Sequence, residues 1–174
     1  MPATATTPQT NKLSATSALL TPHLVCRDAS GAIEFYRRAF GADVMRVVKT
    51  PDGGVLHAAL RVRGAMFFLC DEAPQFGSRS PRALGGTPVT LHLHVHDCDA
   101  VFDRAVEAGC EARMPPQDMF WGDRYGVLTD PYGHAWSVAT TVREVSDDEM
   151  QRGAAACAEA MKKEADGCPG ATAR

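Results

Sequence analysis

From Thr90 to Asp97 the chain reads TLHLHVHD, with polar and apolar residues alternating without a break. Side chains of an extended strand point alternately to its two faces. Thr90, His92, His94 and His96 therefore share one face, and Leu91, Leu93 and Val95 share the other. One face calls for a hydrophobic core; the other is a row of imidazoles. The outline recurs at Thr21 to Asp28, TPHLVCRD, and both stretches fit T-x-H-L-x-x-x-D and run into a helical pattern.

The rest of the chain repeats in the same order. After a first strand from Thr21 to Arg27, apolar positions Ile33, Phe35, Tyr36 and Phe40 predict a helix over Ala29 to Phe40. Asp28 or Ser30 can cap it and Gly41 closes it. Strands follow at Val44 to Lys49, Val55 to Val62 and Ala65 to Cys70, separated by the turns PDGG and Arg63-Gly64. The second unit has a strand from Thr90 to His96 and a helix from Ala100 to Ala108, capped by Asp97 or Asp99 and closed by Gly109. Its strands are a short one at Cys110 to Met114, then Arg124 to Thr129 and His134 to Thr140, with the turn DPYG before the last. Each unit is βαβββ. Parity puts Phe67, Leu69, Leu91, Leu93, Trp136 and Val138 in the core, and gives His134 a structural role bonding a backbone group.

The flanks differ. Residues 1–18, rich in Ala, Thr and Pro, predict a disordered tail. The Gly- and Pro-rich stretch from Asp71 to Pro88 is a module linker or a lid over a site, and the linker is the plainer reading. Residues 143–174 predict a C-terminal helix and tail. Its helix, Ser146 to Ala165, opens on a capping box of Ser146 and Glu149, is weakened by Gly153 and is stopped by Gly167 and Pro169. The fold class is thus α+β: one domain over residues 19–142, with modules 19–72 and 88–142, whose curved mixed sheets enclose a cavity, plus the C-terminal helix.

Composition narrows function mainly by exclusion. A net charge of −3, with both signs interspersed, gives no footprint for nucleic acid or a membrane surface. The six cysteines form no C-x-x-C pair and no signal peptide pattern precedes them, so a reducing, cytoplasmic location is expected. No phosphate loop, dinucleotide fingerprint or G-x-S-x-G elbow is present. Cys70 has no basic neighbour in sequence to activate it.

Four segments carry a family resemblance: AIEFYRRAFGA, GGTPVTLHLHV, FWGDRYGVLTDPYGHAWSVAT and VSDDEM. With the repeated βαβββ pattern, the chain resembles the vicinal oxygen chelate superfamily (glyoxalase I, extradiol dioxygenases, fosfomycin-resistance enzymes, bleomycin-binding proteins), and within it the PhnB-like branch. The resemblance implies paired modules around a cavity, within one chain or between two, and commonly a homodimer. In metal-dependent members, one position on the first and one on the last strand of each module hold a divalent cation. Here these positions map to Thr21, Phe68, Thr90 and Ser137. Hydroxyls are poor substitutes for imidazole, carboxylate or thiolate, and a phenyl ring offers no donor. No cofactor is therefore expected.

His23 and His92 lie two residues beyond the vacated positions on the same strand faces, and the repeat relates them. Joined by a carboxylate they can form a shifted metal site, but the matching parity of the last strands offers only Met66, Phe68, Cys70, Ala135, Ser137 and Ala139. The plainer reading is a polar pocket. His23, His92, His94, Trp121, Arg124, Tyr125 and Ser137 are its candidate ligand-binding residues. An aromatic ring and a guanidinium in FWGDRYG suit an anionic or planar ligand. Against this, Trp121 and Tyr125 can simply pack, with Arg124 paired to Asp123 or Asp130. No catalytic residue is assigned. Three functions stay open: a metal-free small-molecule binder; a lyase, isomerase or dioxygenase working through His23 and His92; and a protein whose surfaces mainly serve dimerisation.

Overall fold

The computed structural model describes residues 20–166. The expected N-terminal tail, the helix stop at Gly167 and Pro169, and Cys168 lie outside them. Module one comprises β1 (His23–Cys26), α1 (Ala29–Phe40), β2 (Asp43–Lys49), β3 (Val55–Val62) and β4 (Ala65–Asp71). After α2 (Pro81–Leu84), module two comprises β5 (Thr90–His94), α3 (Cys98–Ala108), β6 (Glu111–Asp118), β7 (Asp123–Thr129) and β8 (Ala135–Thr141), and α4 (Asp147–Asp166) ends the described chain. The sheets run β1-β4-β3-β2 and β5-β8-β7-β6, each with one parallel pair joining its first and last strands. The class is α+β, two βαβββ modules and a C-terminal helix.

The helices form where the sequence caps them. Asp28 Oδ1 accepts from the Gly31 amide at 2.9 Å, and Asp97 Oδ1 accepts from Ala100 at 2.9 Å. Gly41 at φ 66° closes α1 in the left-handed region, which only glycine enters without strain. Asp71 at the end of β4 accepts from the Ala29 amide at 2.7 Å and the Val55 amide at 2.6 Å, tying the start of α1 to β3.

Three details lie beyond the sequence pattern. Leu56 is an extra residue on β3, because Val48 pairs with His57 while Lys49 pairs with Val55. This bulge turns Val55 into the core and leaves Leu56 exposed. Strand β6 continues beyond Met114 to Asp118, through Pro115 and Pro116. It is an edge strand, and the two prolines sit at a register shift opposite Gly126 alone, where no ladder amide is needed. The stretch after Asp71 is ordered against the fold: Ser80 N donates to Glu72 Oε1 at 2.8 Å, Pro81 is buried, and Arg82 Nε donates to the Pro131 carbonyl at 3.0 Å.

Both modules share one core. Tyr36 of α1 touches Phe67 of β4 and Trp136 of β8, at ring-centroid distances of 5.3 and 5.7 Å. Phe40 lies 4.6 Å from Trp136, and Phe67 lies 6.2 Å from it. Asp130, 1% exposed, locks this junction. Its Oδ2 accepts from Tyr36 Oη at 2.7 Å and Trp136 Nε1 at 2.9 Å; its Oδ1 accepts from the Tyr132 and His134 amides, each at 2.9 Å. Phe67 and Trp136 both stand on the helix-facing sides of their sheets, so those sides converge on one core. Helices α1 and α3 both lie on that shared side and pack against each other.

Candidate functional site

On the open face of sheet one, strand register sets His23 opposite Phe68, Phe68 opposite Ala59 and Ala59 opposite Arg46. On sheet two the same row reads His92, Ser137, Val127, Met114. The repeat therefore holds at the level of register, with His23 equivalent to His92 and Phe68 equivalent to Ser137. Thr90 pairs with Ala135, and Thr21 precedes β1. Thus Phe68 and Ser137 face the histidines directly, and the two threonines do not.

The sheet-one face is a cluster of rings. His23 meets His57 edge-on at 5.7 Å and Phe68 at 6.0 Å, while His57 lies 4.8 Å from Phe68. Burial, and then the charge of His57, push the His23 pKa down, so its neutral form is favoured. The sequence reading missed His57. Ala58, Leu60 and Val62 are buried on the other parity of β3, and that alternation was the available signal.

The sheet-two face is a polar row beside an aromatic platform. His92 Nδ1 lies 2.8 Å from Ser137 Oγ, and its ring stacks on Tyr125 at 6.2 Å with a 20° interplanar angle. Trp121 meets Tyr125 edge-on at 5.6 Å, and Phe120 meets Trp121 at 5.0 Å. His94 Nε2 lies 3.0 Å from Thr141 Oγ1, which donates to Asp123 Oδ1 at 2.7 Å. His92 and His94 are exposed, Trp121 and Tyr125 half-buried, and Ser137 buried beneath His92.

Arg124 stands apart from the other candidates. It pairs with Thr140, between the open-face residues Tyr125 and Asp123, so alternation points it toward α3. There Nη2 donates to Asp99 Oδ1 at 2.7 Å and Nη1 to Asp118 Oδ1 at 3.1 Å. Both carboxylates raise its already high pKa, and the hydrogen bond from Arg124 holds Asp99 low in turn. The structure does not bring Arg124 to the open face, and its partners are neither Asp123 nor Asp130. His134 is buried; Cys26 Sγ lies 3.8 Å from its Nε2, and desolvation lowers its pKa.

His23 and His92 stand on different sheets, and among the described residues no ring contact joins them. Among the described residues no group of three or more His, Cys, Asp or Glu side chains is gathered to hold a cation. Threonine, serine and phenylalanine, at the four positions where the resemblance would place ligands, do not fit a divalent ion. An apolar crevice of about 660 Å³ does open between the modules, lined by Met66, Phe67, Leu91, Leu93 and Trp136. Thr90 and His92 also line it, so the crevice reaches the polar row of sheet two. Among the described residues no helix is long and apolar enough to cross a membrane.

Comparison with known proteins agrees with the fold and the repeat. The chain is 51% identical over 135 residues to protein Rv0887c of Mycobacterium tuberculosis, covering 76% of this chain and 79% of that one. The crystal structure of TioX from Micromonospora superposes with a TM-score of 0.58 at 26% identity, covering 72% of this chain and 99% of that one. A PhnB protein from Bacillus cereus, described as a putative 3-demethylubiquinone-9 3-methyltransferase, superposes at 0.56 with 20% identity, covering 71% and 99%, a likeness of fold. Residues 17–138 match the model of the Glyoxalase/Bleomycin resistance protein/Dioxygenase superfamily, and the chain belongs to that superfamily.

Proposed function

We propose that this protein binds a planar aromatic small molecule, without a metal, in a cavity closed between two copies of the chain. The open face of module one from one copy would cover the open face of module two from the other. What carries the reading is the pair of faces themselves: the positions where a metal would be held carry Thr21, Phe68, Thr90 and Ser137, while rings line both surfaces. His92, Tyr125 and Trp121 offer a stacking platform, and His23, His57 and Phe68 offer the opposing wall. Aromatic walls with a few fixed polar groups are what small-molecule sites generally present. Neither face can enclose a ligand alone, since each is open to solvent in one chain.

Trp121 and Trp136 are the two tryptophans of the chain; Trp121 is half-buried at the platform and Trp136 is 3% exposed in the core. Titration with a panel of planar aromatic compounds, followed by tryptophan fluorescence, tests the reading. The expected result is saturable quenching that Trp121→Leu removes. Absence of saturable quenching by the whole panel, or quenching that survives Trp121→Leu unchanged, would refute it.

A further inference from the structure

On the open face of module two, three side chains from three strands form one hydrogen-bonded line: Asp123 of β7, Thr141 of β8 and His94 of β5. Register makes the arrangement a consequence of the sheet. Asp123 pairs directly with Thr141, and His94 pairs with Ala139, two residues before Thr141 on the same face. The line also fixes protons. The Thr141 hydroxyl spends its single hydrogen on Asp123 Oδ1, at 2.7 Å. Toward His94, 3.0 Å away, Thr141 can then only accept. His94 Nε2 must therefore carry a hydrogen, and in the neutral ring Nδ1 is left as a bare lone pair. Among the described residues no hydrogen bond engages that nitrogen. The same row of the sheet continues from His94 through Ala139 to Tyr125, the centre of the aromatic platform.

We propose that His94, oriented by Thr141 and Asp123, is the acceptor for a hydroxyl or N–H group on the bound aromatic molecule. The ligand class is thus narrowed to aromatic donors such as phenols. This rests on the proposed aromatic binding at the same face. If the donor is acidic enough, its proton passes to Nδ1, leaving a phenolate beside an imidazolium whose other N–H still points to Thr141. No other bond changes and no oxidant or reductant is needed. Asp123 and Thr141 are positioning residues here, since they act on the ligand only through His94.

The test uses the full-length protein with 3-nitrophenol and its methyl ether, 3-nitroanisole, at about pH 7.5, where this less acidic phenol is still protonated and an ordinary imidazole is neutral. The two probes differ at the donor. Loss of one hydrogen bond predicts that the ether binds about three- to tenfold more weakly by Trp121 quenching. His94→Ala should bring the phenol down to the ether's affinity and leave the ether unchanged. Thr141→Val should weaken phenol binding less, and should change the nitrogen NMR signature of His94 from a single Nε2–H tautomer to a mixture. Equal binding of phenol and ether in the wild type, or a wild-type His94 protonated on Nδ1, overturns the proposal while leaving aromatic binding intact. Failure of both probes to bind overturns the aromatic reading as well.

Discussion

Replacement of Asp130 by asparagine should be among the most damaging single-atom changes in this protein. The carboxylate is 1% exposed and accepts four hydrogen bonds, two on each oxygen. An asparagine has two ways to sit there, and both fail. With its NH₂ group at the Oδ1 position it faces the amides of Tyr132 and His134, which can only donate. With NH₂ at the Oδ2 position, Tyr36 Oη can turn and accept, but Trp136 Nε1–H cannot. The cheaper seating still leaves the indole N–H unpaired and weakens the remaining bonds by removing the charge. At about 1–3 kcal/mol for each unsatisfied buried group, the cost comes to roughly 2–5 kcal/mol. Tyr36→Phe removes one donor and leaves the other three in place, for about 1.5–3 kcal/mol. Against a total stability of order 5–15 kcal/mol, the asparagine change is a substantial fraction. Urea unfolding followed by circular dichroism and by Trp136 emission measures both variants at constant m-value. The reasoning is refuted if Asp130→Asn lies within 1 kcal/mol of wild type, or if it costs less than Tyr36→Phe; the ranking rests on the same principle for both.

Other consequences can be checked separately. A Cβ at residue 153 would run into the Phe120 ring, the contact by which α4 lies against the module-two platform. Gly153→Ala should therefore loosen α4, despite alanine's higher helix propensity, and raise amide exchange over Asp147–Asp166; unchanged exchange would count against the docking. The pKa values of His23 and His134 are both lowered from 6.5, so below that pH protons bind the unfolded chain first. Stability should be full above pH 6.5 and decline as pH falls below it, with a smaller decline in His134→Gln; a flat profile just below 6.5 would contradict the burial of these rings. Arg124→Met should lower the melting temperature by freeing Asp99 and Asp118, yet leave aromatic-probe affinity unchanged, since the guanidinium lies on the opposite side of the sheet.

Much of this was legible in the chain because strand parity is a local property. The alternation in TLHLHVHD placed His92 and His94 on one face and Leu91 and Leu93 on the other, and the repeat assigned the same layout to His23 and Leu24. Capping signals at Asp28 and Asp97 and the closing glycines fixed both helices. What sequence reasoning missed was tertiary. Arg124 follows a tryptophan and precedes a tyrosine in FWGDRYG, but only pairing with β8 shows that it points toward α3 while Tyr125 and Asp123 point the other way. Gly153 reads as a weak point in a helix until Phe120 is placed against it. The packing of both modules on one core depends on Tyr36, Phe67, Trp136 and Asp130 meeting across some hundred residues, and no local pattern encodes which side chains converge.

Closure of the cavity between two copies is the central claim, and the mass of the protein in solution tests it most directly. Light scattering at micromolar concentration should give twice the chain mass of 18.6 kDa. Substituting Phe68→Glu, which sets a charge in the centre of the module-one face, should return the protein to a single chain with its circular dichroism intact and abolish aromatic-probe binding. A wild-type mass of 18.6 kDa together with undiminished probe binding would contradict the account.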